Sequence, residues 1–198
     1  MNLILSTILL SFILISCGRG SKNSDAFERE EETTEPDTLQ RLYRGDVRPV
    51  NPSIIRNIKG QVAVRLIGDE FEVNIAVSEV PSSTHPQRLL TGKNCPTQSA
   101  DADGDGIISP AEAQAVSGEV FIPFDSDIEN LGESNFPVGG LLGAYNYRET
   151  ASRSRLLANL GPGVEYDLEN RVLMIYGTDD DRDLPIGCAE LFQVLGQE

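Results

Sequence analysis

Residues 101–112, with the sequence DADGDGIISPAE, carry four carboxylates in twelve positions. Aspartates stand at alternate positions, Asp101, Asp103 and Asp105, and Glu112 closes the segment. Carboxylates crowded this closely repel one another unless a cation neutralises them. Calcium is a hard cation that takes six to eight oxygen ligands, many of them carboxylate oxygens. The segment therefore predicts a calcium site.

The spacing matches the loop of an EF-hand, whose ligands come from positions 1, 3, 5, 7, 9 and 12. Such a loop turns sharply at position 6, where Gly106 stands, and Ile108 supplies the usual aliphatic residue at position 8. The predicted ligands are the side chains of Asp101, Asp103, Asp105, Ser109 and Glu112 and the main-chain carbonyl of Ile107.

The end of the same segment also has the pattern of a helix start. Ser109 fits the N-cap, Pro110 the first helical position, and Glu112 the third position of a capping box. The two interpretations are compatible, because Glu112 can cap the helix and also face an ion. Capping alone does not explain the three aspartates, so calcium binding is the favoured interpretation.

The residues around the loop indicate a structural ion. Cys95 and Pro96 argue against a long entering helix, and the helix after the loop is expected to end by Gly118. Sensor EF-hands work by moving two long helices and exposing a groove. We therefore expect a loop inserted in a β-domain, with a calcium Kd of about 10⁻⁴–10⁻³ M, as in extracellular modules.

A second acidic run occupies 179–183 and raises the same question. Asp179, Asp181, Asp183 and Glu190 fall on positions 1, 3, 5 and 12. Leucine then occupies position 6, where the EF-hand loop needs a glycine turn, proline occupies position 7, and Glu190 falls in a predicted strand. A solvated turn is the expected structure, and a second ion there stays an open alternative.

Hydrophobic and polar residues alternate on both sides of Gly68-Asp69. The apolar positions of the two runs are Val62, Val64, Leu66, Phe71, Val73, Ile75 and Val77. Alternation around a Gly-Asp turn predicts an antiparallel hairpin with one buried face.

Further elements follow the hairpin along the chain. Strands are predicted at 118–124, 142–149, 171–177 and 188–195, and short helices at 109–116 and 150–160. Many short strands between turn residues are typical of all-β folds. We expect a mostly β protein, an antiparallel β-sandwich or Greek-key barrel, with a short helix after the EF-hand-like loop. This domain is expected to span 54–198.

The chain begins with an uncharged, almost wholly aliphatic segment, residues 1–16. It is too short to span a bilayer, which takes about 20 apolar residues, and it predicts an export signal. The following LISCG stretch resembles a bacterial lipoprotein signal, which implies cleavage before Cys17 and acylation of that cysteine. Gly18, in place of an aspartate, implies the outer membrane. An ordinary secretory signal with an incidental cysteine is the alternative. Residues 17–53 are polar and predict a disordered tether.

The chain of 198 residues has a formal net charge of −15, which argues against a nucleic-acid partner because phosphate binding needs a basic surface. Its three cysteines are an odd number. If Cys17 carries lipid, Cys95 and Cys188 remain as a candidate disulfide in an oxidising compartment. Two unrelated buried thiols are the alternative.

Six blocks follow one another between Gly60 and Phe192: HPQRLLTGKNCPT, DADGDGIISPAE, VSGEVFIPFDSD, YNYRET, ENRVLMIYG and LPIGCAE. Together they resemble the Cu/Zn superoxide dismutase-like and chordin-type (CHRD) β-sandwiches of secreted bacterial proteins. In such folds a loop cysteine pairs with a cysteine that opens the last strand, so the resemblance implies a disulfide between Cys95 and Cys188.

The chain departs from that family where the metal histidines are expected. HPQRLL contains His85, the sole histidine, and Arg88 and Leu90 stand near the expected imidazole positions. Copper and zinc centres need several nitrogen ligands. We expect no superoxide dismutase activity, and we expect His85 to be a turn residue before Pro86 and not a ligand.

These features predict a calcium-binding, lipid-anchored envelope protein with a structural or adhesive role and no catalysis. Its protein or glycan partner stays open. A metal-dependent enzyme related to superoxide dismutases and a calcium-responsive regulator are the alternatives. The sequence has neither a nucleophile elbow nor a phosphate-binding glycine loop.

The lipid assignment is tested by the Cys17→Ser variant, which removes the acylated thiol. We expect this variant to move from the membrane fraction to the soluble fraction, because several acyl chains are what hold such a protein to a bilayer. Fractionation with detection of the protein measures the shift. Membrane attachment equal to that of the wild type would exclude acylation at this cysteine as the anchor.

Overall fold

The computed structural model describes residues 40–161 and 167–194. The leader at 1–16, the lipidation site Cys17 and the tether as far as residue 39 lie outside the described residues. Among the residues that are described, no helix is both long and apolar enough to cross a membrane.

Antiparallel strands make up most of the described chain. They are β1 (Arg41–Pro49), β2 (Lys59–Ile67), β3 (Glu70–Ser78), β4 (Gln87–Leu90), β5 (Val120–Pro123), β6 (Ala144–Ser152), β7 (Val172–Tyr176), β8 (Pro185–Glu190) and β9 (Phe192–Val194). Two α-helices, α1 (Pro110–Ser117) and α2 (Arg153–Leu160), and a 3₁₀ turn (Gln98–Ala100) complete the described elements.

The strands join in one continuous curled sheet, in the order β5-β4-β7-β8-β1-β2-β3-β6, with β9 beside β1. Every pairing between these strands is antiparallel. The expectation of a mostly β, antiparallel fold is confirmed. The predicted hairpin is also confirmed, since β2 and β3 pair along their whole length around Gly68 and Asp69.

The tether prediction is wrong for residues 41–49, because they form β1. This strand pairs with β2 on one side and with β8 and β9 on the other. Its inward side chains, Tyr43 and Val47, are almost fully buried. Charged residues alternate with these apolar ones, which lowers the mean hydropathy while preserving the period of a strand. The folded region therefore begins before residue 54.

Two further strands, β4 and β9, also differ from the sequence prediction, beyond shifts of one to three residues at the ends of other elements. β4 has only four residues and was not predicted as a strand, although it pairs on both edges with β5 and β7. The single strand predicted at 188–195 is divided, because β8 ends at Glu190 and β9 begins at Phe192. Between them Leu191 is fully buried in the core. β8 and β9 keep one register against β1, with Cys188 opposite Arg48 and Phe192 opposite Arg44, so the chain continues in the same direction.

The curled sheet encloses one large core and supports a second cluster on its outer face. Side chains of β1, β2, β3 and β6 meet those of β4, β7 and β8 in the main core. The second cluster lies on the other face of β4, β7 and β8 and includes Ile108 and Ala113 from the region of the acidic loop. Residues 91–118 therefore cover the outside of this part of the sheet.

A disulfide fastens this cover to the sheet, as the sequence predicted. Cys95 lies at the start of the covering segment and Cys188 in β8, and the two are bonded across 93 residues. Both cysteines are buried within the second cluster.

Removing this cross-link is expected to destabilise the protein. We expect the Cys95→Ala/Cys188→Ala variant to lose about 2–5 kcal/mol of free energy of unfolding, because closing so long a loop restricts the unfolded chain. Urea unfolding of wild type and variant, each with and without reductant, measures the loss. A wild type that unfolds at the same urea concentration in both redox states would contradict the expectation.

Candidate metal centre

The acidic loop is turned by hydrogen bonds from its own backbone to Asp101. The N–H of Gly104 donates to Asp101 Oδ1 at 2.8 Å, and the N–H of Gly106 donates to Oδ2 at 2.9 Å. Both glycines have positive φ angles, +76° and +86°, which residues with a Cβ rarely adopt. The sequence indicated the turn at Gly106, whereas the one at Gly104 was not predicted.

The other two aspartates bond in the same manner, each to an N–H two residues further on. Asp103 Oδ1 accepts from Asp105 at 3.2 Å, and Asp105 Oδ1 accepts from Ile107 at 2.7 Å. One carboxylate oxygen from each of Asp101, Asp103 and Asp105 lies within 4.8 Å of the others. Each carboxylate has about four lone-pair sites, so these bonds leave capacity for an ion.

Glu112 ties the end of the loop to its beginning. Its Oε1 accepts from the Ala102 N–H at 2.7 Å, and its Oε2 accepts from the Ser109 N–H and hydroxyl, each at 2.8 Å. Ser109 Oγ in turn accepts from the Glu112 N–H, which completes the capping box at the start of α1. The backbone N–H of Ser109, followed by that of Ala102, lowers the pKa of Glu112 to about 2. Glu112 is therefore a carboxylate at neutral pH.

Ile108, the residue after the predicted carbonyl ligand Ile107, joins the loop to the sheet. Ile107 is only partly exposed, and Ile108 is fully buried in the second cluster. Both main-chain groups of Ile108 bond to the side chain of Asn51, which follows β1. Sequence reasoning missed Asn51 and placed it in the tether. No local signal could reveal a partner 57 residues away.

The structure brings Asp101, Asp103 and Asp105 together and connects Ser109 and Glu112 to them through the loop backbone. Among the described residues, this is the one group of three or more His, Cys, Asp or Glu side chains close enough to share an ion. The calcium ligand set itself stays a prediction.

The second acidic run is arranged differently. Asp179, Asp181 and Asp183 lie on an exposed turn, where Asp181 accepts from the Asp183 N–H at 2.9 Å. Glu190 lies in β8 and bonds to Arg48 and to the Cys95 N–H. It therefore supports the start of the covering segment and is not part of the turn.

His85 is a buried bridge and not a simple turn residue. Its Nδ1 lies 3.1 Å from the Tyr176 carbonyl oxygen and its Nε2 lies 2.9 Å from that of Pro81. The imidazole ring stacks on Tyr145, with ring centres 5.6 Å apart. Both nitrogens thus face main-chain oxygens, an arrangement that joins three segments of the chain.

Arg88 and Leu90, which stand near the expected imidazole positions of the superoxide dismutase-like family, have structural contacts. The Arg88 guanidinium lies 4.6 Å from the ring centre of Tyr176 and is bonded to Glu133. Leu90 is buried in the second cluster.

No protein-family model matches this chain, and a search of curated proteins gives no match. The resemblance to superoxide dismutase-like and CHRD sandwiches and to bacterial lipoproteins therefore stays a prediction.

The hydrogen bonds to Glu112 predict a pH dependence. Its folded-state pKa of about 2 lies below the ordinary value of 4.5, so its contribution to stability is complete above the ordinary value and is lost on acidification toward about 2. With calcium chelated, we expect the Glu112→Gln variant to lose less stability than wild type over this range. Urea unfolding at successive pH values measures this, with Glu119→Gln, at an exposed glutamate outside the loop, as the control. Parallel curves for wild type and Glu112→Gln would contradict the prediction.

Proposed function

We propose that this chain is a calcium-binding, lipid-anchored protein of the cell envelope, in which the ion stabilises a β-domain and catalyses nothing. The observation that carries the proposal is the group of three aspartate oxygens within 4.8 Å of one another. A loop that holds three carboxylates together through its own N–H groups has a high local negative charge, and a divalent cation relieves it.

The position of the loop supports a structural role for the ion. The segment that carries it covers the outer face of β4, β7 and β8, where Ile108 and Ala113 are buried. An ion that holds the loop closed also holds these apolar side chains on the sheet. With a Kd of about 10⁻⁴–10⁻³ M and calcium near 1 mM, binding stabilises the folded state by about 0.4–1.4 kcal/mol.

The surroundings of the loop argue against a calcium-responsive regulator. A 3₁₀ turn of three residues precedes it, and α1 after it has eight residues. The disulfide at Cys95 restrains the entering side. Switching in EF-hand sensors requires two helices that move apart. A short helix on a cross-linked segment has little freedom for such a movement.

The environment of the sole histidine argues against a copper or zinc enzyme. Copper and zinc sites of the superoxide dismutase type take several imidazole nitrogens. His85 is fully buried, and both of its nitrogens lie within hydrogen-bond distance of carbonyl oxygens. Stoichiometric copper or zinc in the purified protein would favour the enzyme alternative.

The envelope location is proposed from the leader and Cys17, and the disulfide is consistent with an oxidising compartment. The proposed anchor is lipid on Cys17, in the outer membrane. The proposed role is structural or adhesive, toward a protein or glycan partner that binds the folded domain.

The decisive variant is Asp101→Ala/Glu112→Ala, which removes the first and last side-chain ligands of the proposed site. We expect wild type to melt at a higher temperature in millimolar calcium than in chelator, and we expect the variant to lose this difference, because mass action requires a bound ion. Differential scanning calorimetry with and without calcium measures it.

The matched control is Asp179→Ala/Asp181→Ala, which removes the same number of negative charges from the exposed turn and is expected to keep the calcium response. A calcium response in the Asp101→Ala/Glu112→Ala variant equal to that of wild type would place the ion elsewhere. A large calcium-dependent change in small-angle scattering of wild type would favour the regulator.

A further inference from the structure

Asn51 is a buried polar residue, and both polar atoms of its side chain form hydrogen bonds to the backbone of other segments. The residue lies just after the end of β1 and is 1% exposed. Asn51 Oδ1 accepts from the Ile108 N–H at 2.7 Å. Its Nδ2 donates to the Ile108 carbonyl at 3.0 Å and to the Pro185 carbonyl at 2.9 Å. The amide therefore links the acidic loop to the start of β8.

The bonded N–H belongs to the peptide unit that carries the Ile107 carbonyl. Because a peptide unit is planar and trans, its C=O and N–H point in opposite directions. When Asn51 fixes the direction of the Ile108 N–H, it also fixes the direction of the Ile107 carbonyl oxygen. The hydrogen bond from the Ile108 N–H to Asn51 Oδ1 also polarises the peptide unit, which makes the Ile107 carbonyl a stronger ligand. Within residues 40–161 and 167–194, no backbone N–H donates to this carbonyl oxygen.

We propose that Asn51 is a positioning residue for the calcium loop: it orients the Ile107 carbonyl toward the ion and couples ion binding to the junction of β1 and β8. This inference rests on the proposed calcium site. The bond from Asn51 to Pro185, the first residue of β8, anchors the amide to the sheet. The direction of the Ile107 carbonyl is therefore set by a contact outside the loop.

The chemistry of an amide suits this position. A neutral side chain supplies an acceptor and two donors without adding a further negative charge near the four carboxylates of the loop. An aspartate of the same shape would place acceptors against the carbonyls of Ile108 and Pro185. Partners that orient metal ligands in this indirect way commonly change metal affinity by about 10–100-fold when they are removed.

Gln87 provides a matched control, because it is another fully buried amide that joins separate segments. Its Nε2 donates to the Phe124 carbonyl at 3.0 Å, and its Oε1 accepts from the Tyr145 hydroxyl at 3.1 Å. These contacts do not involve the acidic loop. Truncating either amide removes buried hydrogen bonds and lowers stability, so loss of stability alone does not distinguish the two positions.

The experiment is a calcium titration by isothermal calorimetry of wild type, Asn51→Ala and Gln87→Ala, with melting temperatures recorded for each in chelator. We expect both variants to melt below wild type. We expect the calcium Kd to rise about tenfold or more in Asn51→Ala and to stay at the wild-type value in Gln87→Ala.

A measurement on wild type keeps the test available if Asn51→Ala does not fold. Calcium is expected to slow hydrogen exchange of the Ile108 amide and to shift the side-chain NH₂ resonances of Asn51 in NMR spectra, while those of Gln87 stay in place.

The outcomes separate this inference from the proposed function. If wild type binds no calcium in the titration, the proposed function is overturned, and so is this inference. If wild type binds calcium, two results overturn the inference alone. One is an unchanged calcium Kd in Asn51→Ala, and the other is no calcium response of the Ile108 amide and the Asn51 side chain in wild type.

Discussion

The structure depends on burying both faces of β7, whose five residues are all apolar and all buried. Successive side chains of a strand point to opposite faces. Leu173 and Ile175 therefore enter the main core, while Val172, Met174 and Tyr176 face outward. An antiparallel sheet can leave one face to water, but this outer face is apolar and has to be covered. Residues 91–118 supply the cover.

The cover is also the segment that holds the four carboxylates of the acidic loop, and this combination explains its construction. Burying Ile108 and Ala113 favours a closed segment, whereas repulsion between the carboxylates opposes it. Backbone N–H groups, the capping box and the disulfide each act against that repulsion. Asn51 adds a direct bond between the loop and the sheet. The proposed ion at the aspartates would act in the same direction, which is why we propose a structural role for it.

Local patterns were enough to predict the hairpin and the helix start. Alternation around Gly68-Asp69 predicts β2 and β3, and the spacing of Ser109 and Glu112 predicts the capping box; both depend on neighbours close in sequence. β1 was missed because its charged residues resemble a tether, although Tyr43 and Val47 carry the period of a strand. The four residues of β4 are too few for a periodic signal, so only pairing with β5 and β7 defines them as a strand.

The sequence by itself determined the chemistry of the acidic loop, because the oxygen donors of such a site come from twelve consecutive residues. It also determined the mostly β composition through local alternation. Only the tertiary structure decided that the loop covers the outer face of β7, that Asn51 holds Ile108, and that both nitrogens of His85 face carbonyl oxygens. Apart from the contact between His85 and Pro81, which are four residues apart, these contacts join residues 57 or more positions apart, and no local pattern encodes such pairings.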